Sequence, residues 1–221
     1  MNRMFGAAVV GLLAVSVAQG HFPFIVPEAD GTTAKVVFSD NLDPDKDVNI
    51  EKLDGTKLTL RDAAGKESPL TWKKGDACYV VSVPGSGARV VYGVTDYGVL
   101  QKGDTKPFRL VYYPKATVGG PAAKPVGGNL KLEIVASGEV GKTRFQVLAD
   151  GKPAPELEVT VILPGGSKKA EKTDKEGFTP AYAESGRYGV YAKFVETKAG
   201  EHAGKKYDEV RNYATLVTDV K

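Results

Sequence analysis

His21 and His202 are the two imidazoles in a chain of 221 residues, so any nitrogen-donor chemistry of the side chains rests on them. His21 lies in Ala-Gln-Gly-His-Phe-Pro-Phe-Ile-Val-Pro, residues 18–27. What precedes it reads as an export signal. Arg3 supplies a positive start, Phe5 to Val17 an apolar run, and Ala18-Gln19-Gly20 a small-x-small cleavage box. The run is shorter than the roughly 20 apolar residues that a membrane-spanning helix needs. A cut after Gly20 puts a free α-amine and an imidazole on one residue. The amine and Nδ1 of such a residue close a chelate ring on one metal ion. The amine is available near neutrality, because its pKa is about 7.7–8.0 and a bound cation lowers it further. Nitrogen donors suit Cu(II), Ni(II) and Zn(II). The alternative is a histidine left at the end by the signal cut. The three-residue amino-terminal copper/nickel motif needs its histidine third, and Pro23 stands there instead.

His202 sits in Ala-Gly-Glu-His-Ala-Gly, a run of small residues that admits a close ligand or is simply a solvated loop. Glu201 and Asp208 nearby could add a carboxylate oxygen or orient the imidazole. If His202 and His21 converge, they make a three-nitrogen cluster resembling a histidine brace. The acidic run Asp40 to Asn49 is weaker evidence. Asp43, Asp45 and Asp47 open like a calcium loop, but Val48 replaces the turn glycine and Asp54 the bidentate glutamate, which favours a polar loop. Cys78 is the single cysteine, so it makes no disulfide within the chain and reads as a small buried hydrophobe. No GxSxG, HExxH, P-loop or GxGxxG pattern occurs, which leaves little room for hydrolytic, nucleotide or dehydrogenase chemistry. A non-enzymatic role is expected.

The elements that must position these residues read as β throughout. Short alternating or β-branched runs recur between Gly, Pro, Asp and Asn. The expected strands include Phe22–Val26, Ala34–Phe38, Val48–Leu53, Cys78–Val83, Phe108–Tyr113, Leu157–Leu163, Phe178–Ala183 and Arg187–Val195. Tyr207–Val220 closes the chain as a strand pair or one long strand. Residues 116–129, rich in Gly, Pro and Ala, read as a linker. This divides the chain into a signal peptide (1–20), an N-terminal β domain (21–115), the linker, and a C-terminal β-sandwich (130–221). The net charge is +3, with Lys and Arg scattered among Asp and Glu, so no clustered basic face for nucleic acid is expected. No second hydrophobic run follows the first, and no transmembrane segment is expected in the mature chain.

Two resemblances add to this. Val147-Leu148-Ala149-Asp150-Gly151-Lys152-Pro153-Ala154, then Val159-Thr160-Val161, Thr173 to Phe178 and Ser185 to Ala192 resemble the sandwich of transthyretin-like, carboxypeptidase-regulatory-like and Cna-B-type domains. The whole mature chain resembles exported bacterial proteins that carry a domain of unknown function and are described as periplasmic components associated with cobalt or nickel uptake. The phrases are His21, Phe24 and Pro27 at the start, Leu110 to Ala116, and Gly204-Lys205-Lys206-Tyr207 near the end. The Gly-His-Pro-type phrase of such relatives is missing after the second strand, where Phe38 to Asp43 stand instead.

The expectation is an all-β protein of two β-sandwich (Ig/transthyretin-like) domains behind a cleaved signal peptide, periplasmic or secreted. It would bind Ni, Co or Cu through His21, with His202, Glu201 and Asp208 as further candidates, and a membrane metal transporter would be its partner. The alternatives are a non-catalytic scaffold or adhesion module and an oxidative copper enzyme with a histidine brace.

Overall fold

A computed structural model describes residues 20–120, 124–128 and 130–221. The expected signal segment lies outside the described residues except for Gly20, and so do 121–123 and 129 of the expected linker.

The first half contributes β1 (Phe22–Pro27), β2 (Thr33–Ser39), β3 (Lys57–Arg61), β4 (Glu67–Leu70), β5 (Trp72–Lys74), β6 (Tyr79–Ser82), β7 (Arg89–Leu100) and β8 (Phe108–Val118). The second contributes β9 (Leu132–Ser137), β10 (Arg144–Ala149), β11 (Lys152–Pro153), β12 (Glu158–Ile162), β13 (Lys168–Lys172), β14 (Gly186–Glu196), β15 (Gly200–His202), β16 (Lys205–Tyr207) and β17 (Glu209–Val220). Among the described residues no helix is long and apolar enough to cross a membrane.

The strands stack in three layers. The central sheet has eight strands in the order β13-β12-β14-β17-β8-β7-β3-β4 and draws on both halves of the chain. A four-stranded sheet, β1-β2-β6-β5, covers one face, and a three-stranded sheet, β11-β10-β9, covers the other. Side chains alternate between the faces of a strand, and the two cores follow that alternation. On β8, Phe108, Leu110 and Tyr112 face the four-stranded sheet with Phe24, Ile25, Val36 and Val81. Val111 and Tyr113 face the other way, with Ile134, Phe145 and Val147. A strand covered on both faces needs apolar residues in succession, as the buried run of β8 shows.

The polar groups caught in this middle layer are paired, as burial requires. Thr117 and Thr218 share a hydrogen bond of 2.7 Å across β8 and β17. Arg89, 5 % exposed, donates to the carbonyls of Val83, Pro84, Gly85, Gly87 and Gly31, so the guanidinium ties two turns together without a carboxylate.

The expected linker is only partly one. Ala116, Thr117 and Val118 are buried within β8, and β8 pairs in parallel with β17 across the expected boundary. The strand ends at Gly119, with φ +77°, where any Cβ would collide with the Gly87 carbonyl. Beyond it the chain is docked. Val126 N–H (2.7 Å) and Gly127 N–H (3.0 Å) donate to the Glu133 carboxylate, which also receives Lys115 Nζ at 2.6 Å. Arg61 donates to the carbonyls of Pro125 (3.3 Å) and Val126 (2.8 Å).

Two expected strands take other forms. Val48–Leu53 is instead a 3-10 turn at Ile50–Leu53, started by the Asn49 side chain, which accepts from Glu51 N–H. The three-residue period puts Ile50 and Leu53 on one buried face. Phe178–Ala183 makes only isolated bridges, Thr143 to Tyr182 and Gln146 to Phe178. Pro180, inside that run, has no N–H for a ladder.

Candidate functional site

The hairpin of β1 and β2 carries His21 to a fixed place. Its register pairs Phe22 with Ser39, so the acidic segment that follows Ser39 runs back past the residue that precedes Phe22. His21 Nε2 consequently meets Asp45 Oδ2 at 2.9 Å. Asp45 Oδ1 accepts from the Asp47 amide at 2.9 Å. That amide first, and His21 second, hold the Asp45 carboxyl below the ordinary carboxylate value. An ionised carboxylate only accepts. Nε2 is therefore the donor of this pair, which leaves Nδ1 as the ring nitrogen free to offer a lone pair to a metal ion.

Several contacts anchor the strand start against the central sheet. The Tyr112 hydroxyl donates to the His21 carbonyl at 3.4 Å, and Thr215 Oγ1 donates to the Pro23 carbonyl at 2.7 Å. Phe22 stacks on Tyr191 with ring centroids 4.3 Å apart, and Tyr213 lies 5.4 Å from it. Phe38 tilts against the imidazole at 6.0 Å. Burial, with the Tyr213 and Tyr97 phenols beside it, pushes the Tyr112 phenol far above its usual value. Tyr112 is thus a hydrogen-bond donor here rather than a phenolate. The backbone is held while the imidazole stays 41 % exposed.

His202 lies on the opposite face of the central sheet. It sits on the β15–β16 hairpin, with Nε2 3.6 Å from Asp96 Oδ2, outside hydrogen-bond reach. Asp96 is opposite Val111 in the β7–β8 register, and Val111 belongs to the core under the three-stranded sheet. Tyr112, which touches His21, belongs to the other core. The histidine brace contemplated from the sequence therefore does not assemble from His21 and His202, because β7 and β8 separate them.

Glu201 and Asp208 do not complete a cluster with His202 either. Glu201 neighbours His202 on β15, so the strand's alternation turns it to the other side of the hairpin, and it is exposed. Asp208 is also exposed, and its amide is bonded to the Pro107 carbonyl at 2.9 Å. Among the described residues, no three His, Cys, Asp or Glu side chains gather as a ready metal cage. Cys78 is buried, and burial raises its thiol pKa above the ordinary value.

Neither carboxylate that meets a histidine, Asp45 at His21 or Asp96 near His202, was expected there from the sequence. Asp45 was part of the acidic run, and a β1–β2 hairpin register would have placed it beside His21. Asp96 carries no such signal, because its contact with His202 depends on where a distant hairpin docks. Burial pushes the Asp96 carboxyl up, but hydrogen bonding and charge from Arg109 outweigh it and leave the group below its usual value.

Beside Asp96 a cleft of about 290 Å³ opens over β7, β8 and β17. Tyr113 donates to Asn212 Oδ1 at 3.1 Å, Asn212 donates to Glu196 Oε2 at 2.9 Å, and Lys131 pairs with Glu196 at 2.7 Å. Burial, then the Glu196 charge, pushes the Tyr113 phenol up to about 12.

The family described as Domain of unknown function (DUF4198) matches residues 18–196. The chain belongs to that family. The match takes in His21, Asp45 and Asp96 but ends before His202. None of the curated proteins matches the chain. A solved two-domain fibronectin type-III segment from chicken tenascin shows similarity at 13 % identity, covering 86 % of this chain and 93 % of that one, with a TM-score of 0.22. The all-β sandwich class rests on the stacked sheets themselves.

Proposed function

We propose that this DUF4198 protein is an extracytoplasmic, non-catalytic binder of a transition metal ion, Ni, Co or Cu, acting in metal uptake or handling. The mature chain would begin at His21 and work in the periplasm or as a secreted protein, handing its cargo to a membrane metal transporter. The supporting observation is the pairing of His21 Nε2 with Asp45 Oδ2 at 2.9 Å. A carboxylate on the outer ring nitrogen fixes the tautomer and makes the inner nitrogen a better donor, the pattern found around metal-bound histidines. Nδ1 is the nitrogen that closes a chelate ring with the α-amine of the same residue. His21 alone then offers two nitrogens, and solvent or cargo-borne ligands would fill the other positions. His202 has no part in this reading.

The test is a calorimetric titration of Ni(II), Co(II) and Cu(II) into three forms: a chain beginning at His21, a chain retaining Gly20, and a His21→Ala variant that also begins at residue 21. Saturable one-to-one binding is expected only in the first. Equal affinity in all three removes the proposal.

A further inference from the structure

Partly exposed tyrosine rings stand next to His21. Thr215 Oγ1 bonds the Pro23 carbonyl, so that side chain of β17 faces β1. Side chains two residues apart share a face of a strand. Tyr213 therefore lies on the same face, with its ring centroid 5.4 Å from that of Phe22, and it is only partly buried. On the neighbouring β8, Tyr112 packs against Tyr213 at 5.7 Å and against Tyr97 at 5.8 Å. Tyr97 falls in the bulge of β7 between Asp96 and Gly98, where it has no residue opposite it on β8. Bulges re-aim side chains. The Tyr97 ring, also partly exposed, lies 6.0 Å from Phe38, and Phe38 lies 6.0 Å from the imidazole. Tyr213 thus adjoins His21 from the backbone side and Tyr97 from the side of the imidazole.

What these rings do depends on the metal reading of His21, on which this inference rests. An amine and one imidazole nitrogen fill two positions of a transition metal ion and leave the others open. The Asp45 carboxylate is engaged at Nε2, across the ring from the nitrogen that closes the chelate. The Tyr112 phenol supplies no phenolate, because burial pushes its pKa far up. A ligand in the open positions would extend toward the neighbouring rings. Water there would leave the exposed parts of Tyr97 and Tyr213 uncovered, whereas a flat ring would bury them. We propose that the metal is carried as a chelate of a planar aromatic ligand of the pyridine-carboxylate type. Its donors take the positions that His21 leaves open, and its ring packs on Tyr97 or Tyr213. Aromatic rings attract in offset and edge-to-face arrangements. Phe22, Phe38 and Tyr112 hold both tyrosines beforehand, so little ordering is left to binding. Lys193, whose Nζ is 6.0 Å from the Tyr213 ring centroid, is exposed, and a ligand ring can displace it.

The experiment loads one equivalent of Ni(II) onto the chain beginning at His21, then titrates picolinate and glycinate by calorimetry. Both ligands close the same kind of N,O chelate through one carboxylate, and only picolinate carries a ring. The nickel complex of histidylglycinamide has the same amine and imidazole without the tyrosines, and it corrects for the intrinsic strengths of the two ligands. The picolinate-to-glycinate affinity ratio should be at least about twofold higher on the protein, the lower end for one aromatic contact. Tyr97→Leu or Tyr213→Leu should remove that excess, and Tyr97→Phe and Tyr213→Phe should keep it, with circular dichroism checking the fold of each. If nickel alone does not bind the chain, the His21 reading falls and this inference falls with it. If nickel binds but the ratio equals that of the small complex, only the aromatic cargo is overturned. The same holds if the excess survives both leucine variants, if the phenylalanine variants lose it, or if picolinate strips the nickel from the protein.

Discussion

Replacing Lys115 by methionine should destabilise the protein through the carboxylate it leaves behind. Lys115 and Glu133 are 5 % and 4 % exposed, joined at 2.6 Å between the central sheet and β9. Burial drives the ammonium pKa down while Glu133 pulls it back, so the charged state depends on its partner. Removing one member of a buried pair costs about 3–5 kcal/mol, because the other charge stays buried. Here Glu133 keeps the Val126 and Gly127 amides as donors, which places Lys115→Met at the low end, about 3 kcal/mol. For a chain of this size that is roughly 6–12 °C in melting temperature. Adding Glu133→Gln removes the stranded charge, and the new amide oxygen still accepts from the loop. The double variant should therefore recover to a net loss of about 1–2 kcal/mol. Urea denaturation followed by circular dichroism and by Trp72 fluorescence reads both. A single-variant loss under about 1 kcal/mol, or a double variant no more stable than Lys115→Met, would refute the reasoning.

Other outcomes follow from the same contacts. Asp45→Asn should weaken metal binding at His21 by about tenfold, the lower end for a carboxylate behind a metal-bound histidine, since water reaches both groups; a chelator-competition titration measures it. The Asp96 pKa is lowered on folding, so its pairing with Arg109 contributes fully above the unfolded value and fades as pH falls through the folded one. Asp96→Asn should therefore flatten acid denaturation below about pH 4, by no more than about 1 kcal/mol for a half-buried pair, as read by urea melts at pH 7 and pH 3. Phe24→Ala, at a fully buried site in the strand that carries His21, should cost about 3–5 kcal/mol in the same urea assay.

The β class and most strand positions were legible because alternating apolar residues and Gly, Asp and Pro turns mark them locally. The three-layer arrangement was not. The β8–β17 pairing joins residues about a hundred positions apart, and nothing in Gly119, Gly120 or the following Gly/Pro run says that the chain returns to the same sheet. The cue that was available lay in β8 itself, where Phe108 to Val118 lacks the polar alternation of a one-faced strand. The 3-10 turn at Ile50–Leu53 hid behind a β-branched start, with Asn49 as its signal. At the site, His21 was conspicuous because of the segment before it, whereas the relation between His21 and His202 depended on which face of β7 and β8 each would meet.

The central claim, a metal ion held by the amine and imidazole of a mature amino-terminal His21, is tested most directly by intact-mass and amino-terminal mass spectrometry of the exported protein under conditions that retain bound metal. The account predicts a chain beginning at His21 that carries one equivalent of nickel, cobalt or copper, lost when His21→Ala is exported in its place. A chain that retains Gly20 or earlier residues, or an equal metal load on His21→Ala, would contradict it.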